Sequence, residues 1–302
     1  MSALTGSETL TVARREGNAG RRKRVGQILL YTTLVVIALL FIVPFIWLIL
    51  SSLKTETEYN AYPIRILPRV WQWKNYFEAV EQRRGMRGVH EYVGWALRSL
   101  GLCALNGIPD VLVSAMVGFG FARQRVRVRN LFFTVMLSMV MVPGLVTTIP
   151  QFVLFTRFHL VGTYWPWLLW GLASTPYYVF MFRQFFASFP KELEDAAEID
   201  GCNRLRLFWQ VMMPSAGPVI ATCAIFSFQG NWGDWFASTL FLTGDKRTMA
   251  MALANAYRDP AGNPMVVQTM AAIVLFIIPT VIAYFLGERR IRESAITSGL
   301  KG

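Results

Sequence analysis

ELEDAAEIDGCNRLRLFWQVMMP, residues 192–214, is the one long polar segment lying between two stretches apolar enough to cross a bilayer. Its local signals describe two short helices joined by a break. Pro190 suits a first helical position, where its missing N–H costs nothing, and Glu192, Glu194 and Asp195 favour the positive end of a helix dipole. Gly201 stands where a left-handed residue closes a helix, Asn203 can cap the next one, and Pro214 discourages its continuation. Leu193, Ala196 and Ala197 give the first helix a narrow small-apolar stripe, with the acids facing elsewhere. Such a helix fits a partner protein as readily as its own chain.

The flanking stretches set the class. Of 302 residues 54% are hydrophobic and 16% charged, and the mean hydropathy is +0.40. A soluble domain does not need several apolar runs near 20 residues, the length that spans a bilayer. The expected fold is an all-α polytopic membrane protein with six transmembrane helices, near 28–50, 95–121, 131–148, 164–182, 218–242 and 267–287. A net charge of +12 does not point to nucleic acid here, because the basic residues are spread among the spans. Lys and Arg crowd the short segments 122–130, 183–216 and 288–302, four in each, which puts both termini on the cytoplasmic side by the positive-inside rule.

This gives a flexible basic cytoplasmic tail over 1–27, a membrane domain over 28–287 carrying the polar loop 188–216, and a cytoplasmic tail over 288–302. Residues 51–96 form an outside segment whose Trp71, Trp73, Tyr76 and Phe77 suit the headgroup level. The third span is broken near Pro143-Gly144, and the fifth is interrupted by the polar run Gln229–Trp235. Cys103, Cys202 and Cys223 fall in spans or on the cytoplasmic side, so no disulfide framework is expected.

The loop also carries a family resemblance. Asp195-Ala196-Ala197, Gly201 and Val211-Met212-Met213-Pro214 resemble the E-A-A, G, I-x-L-P pattern in the cytoplasmic loop of permease subunits of bacterial ABC importers. Asp for Glu, Val for Ile and Met for Leu are mild departures. The longer form, from Phe189-Pro190 through Glu194 to Ile199-Asp200-Gly201, looks like the carbohydrate-uptake branch. Ile296–Gly302 is similar to the family's G-x-T-x-G-x-x-K-G ending, with Ser294 and Ala295 replacing the usual glycine region. Gln229–Trp235 resembles its W-N-[DE]-[FW] signature, with Gly233 in place of the usual Asn.

What the resemblance implies is an ABC type I importer permease fold in a bacterial inner membrane, moving a sugar or oligosaccharide by alternating access. The implied partners are a second homologous permease, two cytoplasmic ATPase subunits, an extracytoplasmic sugar-binding protein and the sugar, in membrane lipid and without nucleic acid. Glu194, Asp195, Ala196, Ala197, Asp200, Gly201 and Pro214 would form the ATPase-coupling loop, and Gly299, Lys301 and Gly302 an ATPase-interface tail. The loop 243–266 corresponds to the external loop that approaches the sugar-binding protein. ATP and Mg belong to the partner ATPase, and no cofactor to this chain.

Read without the resemblance, the residues say less. Gly-Lys occurs nowhere, so there is no phosphate-binding loop. Gln229, Asn231, Trp232, Asp234 and Trp235 combine groups that take hydroxyls with indoles that stack on a sugar ring, and are the candidate substrate site. A polar kink packed against another span is an equal reading of the same patch. Asp110 follows Pro109 and lies one turn from Asn106, and an internal helix–helix hydrogen bond is preferred there to a substrate contact. Arg204 and Arg206 could strengthen docking or simply be solvated. An ion-coupled secondary transporter relaying protons through Asp110 and Asp234 is the alternative function, and it leaves 190–214 unexplained. His90 and His159 are far apart and no G-x-S-x-G occurs, so a non-catalytic chain without a metal site is expected.

Overall fold

Residues 5–81, 89–124, 127–255 and 262–299 are described by the structure, a computed structural model, and every regular element within them is helical. The chain divides into two units, residues 1–73 and 74–302.

In the first unit, α1 (Thr5–Ser52) runs unbroken from the polar N-terminal stretch into the first apolar run. Within the expected tail over 1–27, the chain is helical from Thr5 onward. That stretch has no proline, and its alanines and arginines are good helix formers that carry the helix past four glycines. From Val25 to Ile46 the large apolar side chains of α1 point outward. Beyond it the chain folds back on itself. Lys54 Nζ donates to the Arg65 carbonyl at 2.5 Å and lies 4.5 Å from the centre of the Trp47 ring. Gln72 N–H donates to the Leu53 carbonyl at 2.9 Å, and Arg69 N–H to Glu58 Oε1 at 2.8 Å. The single-turn helix α2 (Glu56–Tyr59) is capped by the Thr55 hydroxyl, and Trp71 and Trp73 stack 6.4 Å apart.

The second unit is organised on one helix. Following α3 (Lys74–Glu81), α4 (Val89–Arg123) packs against α7 (Trp165–Ala173), α8 (Pro176–Ala187) and α12 (Gly217–Trp232). Helices in lipid gain little from burying apolar surface, so they close where small residues let backbones meet. A Cβ on Gly171 would lie 2.4 Å from the Asn106 carbonyl oxygen, and one on Gly118 2.6 Å from Phe182 Cβ. Gly107 meets the Ser227 hydroxyl in the same way, at 2.8 Å. The last helix, α15 (Val266–Gly299), packs on α12 and α3. A buried cluster of Ala79, Trp95, Met249, Ala252, Ala271 and Ala272 joins α3, α4, α15 and the short α14 (Met249–Asn255).

Three helical stretches, 24–52, 91–123 and 266–288, are each long and apolar enough to cross a membrane. The other expected spans are bent or divided. α5 (Arg129–Ser138) with its closing 3₁₀ turn and α6 (Gly144–Arg157) meet at 98°, so residues 144–148, expected in the third span, belong to the turned helix. Pro143 holds an extended backbone at the corner. The fourth expected span is divided at Ser174-Thr175, where Ser174 has φ +61° and Thr175 is extended before Pro176. A residue before proline is driven out of the helical region, which fixes the break. In the fifth, α12 ends at Gly233 and α13 (Trp235–Phe241) follows, at the interruption the polar run predicts. α15 continues through 288 to Gly299 without a break.

Candidate functional site

The polar loop folds as its punctuation dictates. α9 (Lys191–Ile199) begins directly after Pro190, carrying Glu192 and Glu194 in its first turn. It closes with Asp200 N–H donating to the Ala196 carbonyl and Cys202 N–H to the Ala197 carbonyl. Gly201, at φ +79°, supplies the left-handed residue this closure needs, and a Cβ there would meet nothing within 4 Å. Asn203 then caps α10 (Arg204–Leu207), its Oδ1 accepting from Arg206 N–H at 2.8 Å. A wide π turn over Phe208–Met212 leads into α11 (Met213–Ser215), which contains Pro214. The chain turns by 77° between this segment and α12.

One side of the loop is bound to the helices behind it. Leu207, Phe208 and Met212 are buried with Phe119 of α4 and Phe182 and Phe186 of α8. Phe119, Phe186 and Phe208 have ring centres 5.3 to 6.3 Å apart. Edge and tilted contacts of this kind favour one arrangement over slippage. Glu194, expected to face a partner with the other acids, is buried instead. Its carboxylate pairs with Arg123, the last residue of α4, and with Arg204, each at 3.2 Å. Arg123 also donates to the Phe189 carbonyl at 2.6 Å, just ahead of α9.

The opposite side is open. Leu193 and Leu205 are exposed, Ile199 is 86% exposed, and Asp195, Ala196, Asp200 and Gly201 stand in solvent beside them. Ala197 is half-buried against the core.

A second polar set ties the middle of the bundle together. Asp110 Oδ1 accepts from Thr175 N–H and Oδ2 from the Thr175 hydroxyl, both at 2.7 Å, and Ser114 donates to Oδ1 at 3.1 Å. Thr175 precedes α8 without a side-chain cap of its own, and the α4 carboxylate holds it in place by its N–H and hydroxyl. One turn away, Asn106 Nδ2 donates to the Trp167 carbonyl of α7 at 3.0 Å, while its Oδ1 accepts from Asn231 of α12 at 2.9 Å. The internal role preferred for Asp110 is the one observed; Ser114 and Thr175 carried no sequence signal of their own.

The candidate substrate patch is separated into two groups. Trp232 is buried, stacked between Phe228 and Phe276, with its indole N–H donated to the Phe276 carbonyl at 3.0 Å. Asn231 is spent on Asn106 and Ser227, and Asp234 caps α13 by accepting from Ala237 N–H at 2.9 Å. These three are bonded within the chain, as a packed kink would have them. Gln229 and Trp235 are exposed, and Trp235 lines an open cleft of about 410 Å³ with Gly233, Ala250, Leu253, Ala254, Ile273 and Phe276. Gly299 is the last described residue, and Lys301 and Gly302 lie outside the described residues. Part of the loop 243–266 lies outside them too, at 256–261. Among the described residues no group of three or more His, Cys, Asp or Glu is placed to hold a metal ion.

The family described as binding-protein-dependent transport system inner membrane component matches residues 111–293. The arabinooligosaccharides transport system permease protein AraQ of Halalkalibacterium halodurans is 30% identical over 88% of this chain and 93% of its own length. The lactose transport system permease protein LacG of Rhizobium radiobacter is 27% identical over 92% of this chain and 97% of its own. Among solved structures, a bacterial ABC transporter involved in the import of the acidic polysaccharide alginate superposes with a TM-score of 0.74. It covers 89% of this chain and 97% of its own at 18% identity, a likeness of fold.

Proposed function

The chain belongs to the binding-protein-dependent transport system inner membrane component family, and from that premise we propose that it forms one half of the translocation pathway of an ATP-driven sugar importer. It is a multi-pass protein of the inner membrane and a transport subunit. Six crossings with both termini cytoplasmic complete the reading: the divided α7–α8 segment is one crossing, and the loop at α9 lies inside. Relatives named for arabino-oligosaccharides and lactose support a saccharide as cargo. A second permease of the same family, two ATPase subunits that bind ATP and Mg, and an extracytoplasmic sugar-binding protein complete the assembly.

The observation that carries this reading is the two-sidedness of the loop. Leu193, Ile199 and Leu205 are exposed with Asp195, Ala196 and Gly201, while Leu207, Phe208 and Met212 anchor it to α4 and α8. A rigid helix with one face free and the other fixed to the bundle suits a cleft on a moving ATPase, which passes rigid-body motion to the spans. Gly299, Lys301 and Gly302 would meet the same partner. Gln229 and Trp235 are the residues of the fifth-span patch free to meet the sugar. The alternating states differ in affinity for the loaded binding protein, and that difference drives the cycle. A relay through Asp110 and Asp234 gains no support, since Asp110 is engaged by Thr175 and Ser114 and Asp234 caps α13.

The test is gentle purification of the tagged chain from its native membrane, followed by mass spectrometry of what accompanies it. An ATPase and a second permease are expected with the wild type, and the ATPase should be lost with Gly201→Glu while the chain still inserts. A homo-oligomer without an ATPase would overturn the reading.

A further inference from the structure

The buried charge cluster at the base of the loop has a role that packing alone does not give it. Arg123 and Glu194 have side chains only 7% and 11% exposed, so their attraction is little screened by water. One carboxylate joins three elements: Arg123 ends α4, Glu194 stands in the first turn of α9, and Arg204 opens α10. Arg123 adds a charge-assisted bond to the Phe189 carbonyl, which fixes the entry to α9 from the same guanidinium. Without these bonds α9 would hang between the Phe189-Pro190 junction and the left-handed Gly201, with Ala197 packed behind it.

At its far side α4 reaches every neighbour that matters. Asn106 holds Trp167 of α7 and Asn231 of α12, and Asp110 holds Thr175 of α8. We propose that Arg123, Glu194 and Arg204 form a strut that makes α9 and α4 move as one body. Displacement imposed on α9 is then passed directly to α4, beside the chain's own link to α8. Arg123 is thus a positioning residue for transport, acting through Glu194 and touching no substrate. The inference rests on the importer reading and deepens it by naming a direct connection from the loop to α4. Energetic coupling needs such a physical two-ended element, since spatial nearness alone does not establish it.

The experiment uses the assembled complex in lipid nanodiscs, with the three cysteines of this chain replaced and spin labels placed at Lys191→Cys on α9 and Gly101→Cys on α4. Both positions are exposed, and a Cβ at Gly101 meets nothing within 4 Å. In the wild type the label-to-label distance should be the same without nucleotide and with ATP, Mg²⁺ and vanadate. Arg123→Gln should make that distance shift and broaden on adding ATP and vanadate, while the ATPase is still recovered with the chain. Glu194→Gln, which keeps the shape of the side chain, should do the same, and it stands in if Arg123→Gln cannot be recovered. Arg123→Lys, which keeps the positive charge beside Glu194, should hold the distribution narrow, a retention that a purely space-filling role would not give. A nucleotide-invariant distance in both single variants overturns the strut alone. An unmodified chain that recovers no ATPase overturns the importer reading and the strut with it.

Discussion

Asp110 and Thr175 are joined by two bonds of 2.7 Å, through which a carboxylate on α4 takes both the N–H and the hydroxyl of the residue that starts α8. The break in the α7–α8 segment is thus sealed by a neighbouring helix. Asp110→Ala would leave the half-buried Thr175 hydroxyl without its acceptor and the Thr175 N–H with only the Ser114 hydroxyl at 3.3 Å, a loss of about 1–3 kcal/mol. Asp110→Asn keeps one acceptor and should lose less. Thermal unfolding in detergent checks the order. Wild-type melting of Asp110→Ala, or uptake that follows a pH gradient, would contradict it.

The contact between α4 and α7 leaves no room for a methyl group. A Cβ at Gly171 would sit 2.4 Å from a backbone oxygen, which cannot rotate away as a side chain would. Gly171→Ala should therefore cost about 1–3 kcal/mol by forcing the helices apart. Gly120→Ala, where nothing lies within 4 Å, should be neutral or mildly stabilising. Equal melting temperatures for the two variants would show that the helices do not meet as described.

Gly201 is different, because its constraint is conformational and its surroundings are open. A side chain there costs on the order of 1–2 kcal/mol for the left-handed backbone, and Asn should be tolerated better than Val. Co-purification of the ATPase should fall in the order Gly, Asn, Val, while insertion of the chain stays constant. Full capture by Gly201→Val would argue against a fixed turn.

The two indoles of the fifth-span patch should separate by assay. Trp232, 3% exposed and stacked on two rings, should cost about 3–5 kcal/mol on truncation to Ala. Trp235, 52% exposed beside the cleft, should leave melting unchanged while lowering uptake of the sugar that the wild-type complex carries. Melting curves alongside uptake decide the matter, and a Trp235→Ala variant with normal uptake removes this residue from the substrate path.

Asp234 serves as the cap of α13, so Asp234→Asn or Asp234→Ser should be nearly neutral and Asp234→Ala should lose about 1 kcal/mol. Thermal melts of the three variants provide the check, with equal losses in all of them pointing to the charge and not the cap.

Much of this was legible in the chain. Local grammar is strong where a position has one conformational answer, as at Gly201, Asn203 and the Gly233-Asp234 interruption. The turn at Ser174-Thr175 was equally written there, in a residue preceding Pro176, but the strong hydropathy on both sides concealed it. Glu194 could not be read correctly from its surroundings. It stands among acids that face solvent, and the partner that turns it inward, Arg123, is 71 residues away at the end of α4. Arg123 itself reads as one more orientation signal among four arginines. Which of Trp232 and Trp235 faces inward depends on where α12 stops, a boundary that patterning fixes only to within a residue or two.

The π turn at Phe208–Met212 sets a condition on the loop that composition does not express. A wider turn amounts to one residue inserted into a helix, and it shifts the phase of everything on one side of it. Here the shift lets Leu207, Phe208 and Met212 all reach the interior while Leu205 stays outside. Deleting any one residue between Leu207 and Met213 would return the segment to ordinary phase and rotate its Gly201 end by about 100°. The length of this stretch is therefore under the same constraint as its side chains, and insertions or deletions within it would be read by the whole bundle as a change of angle.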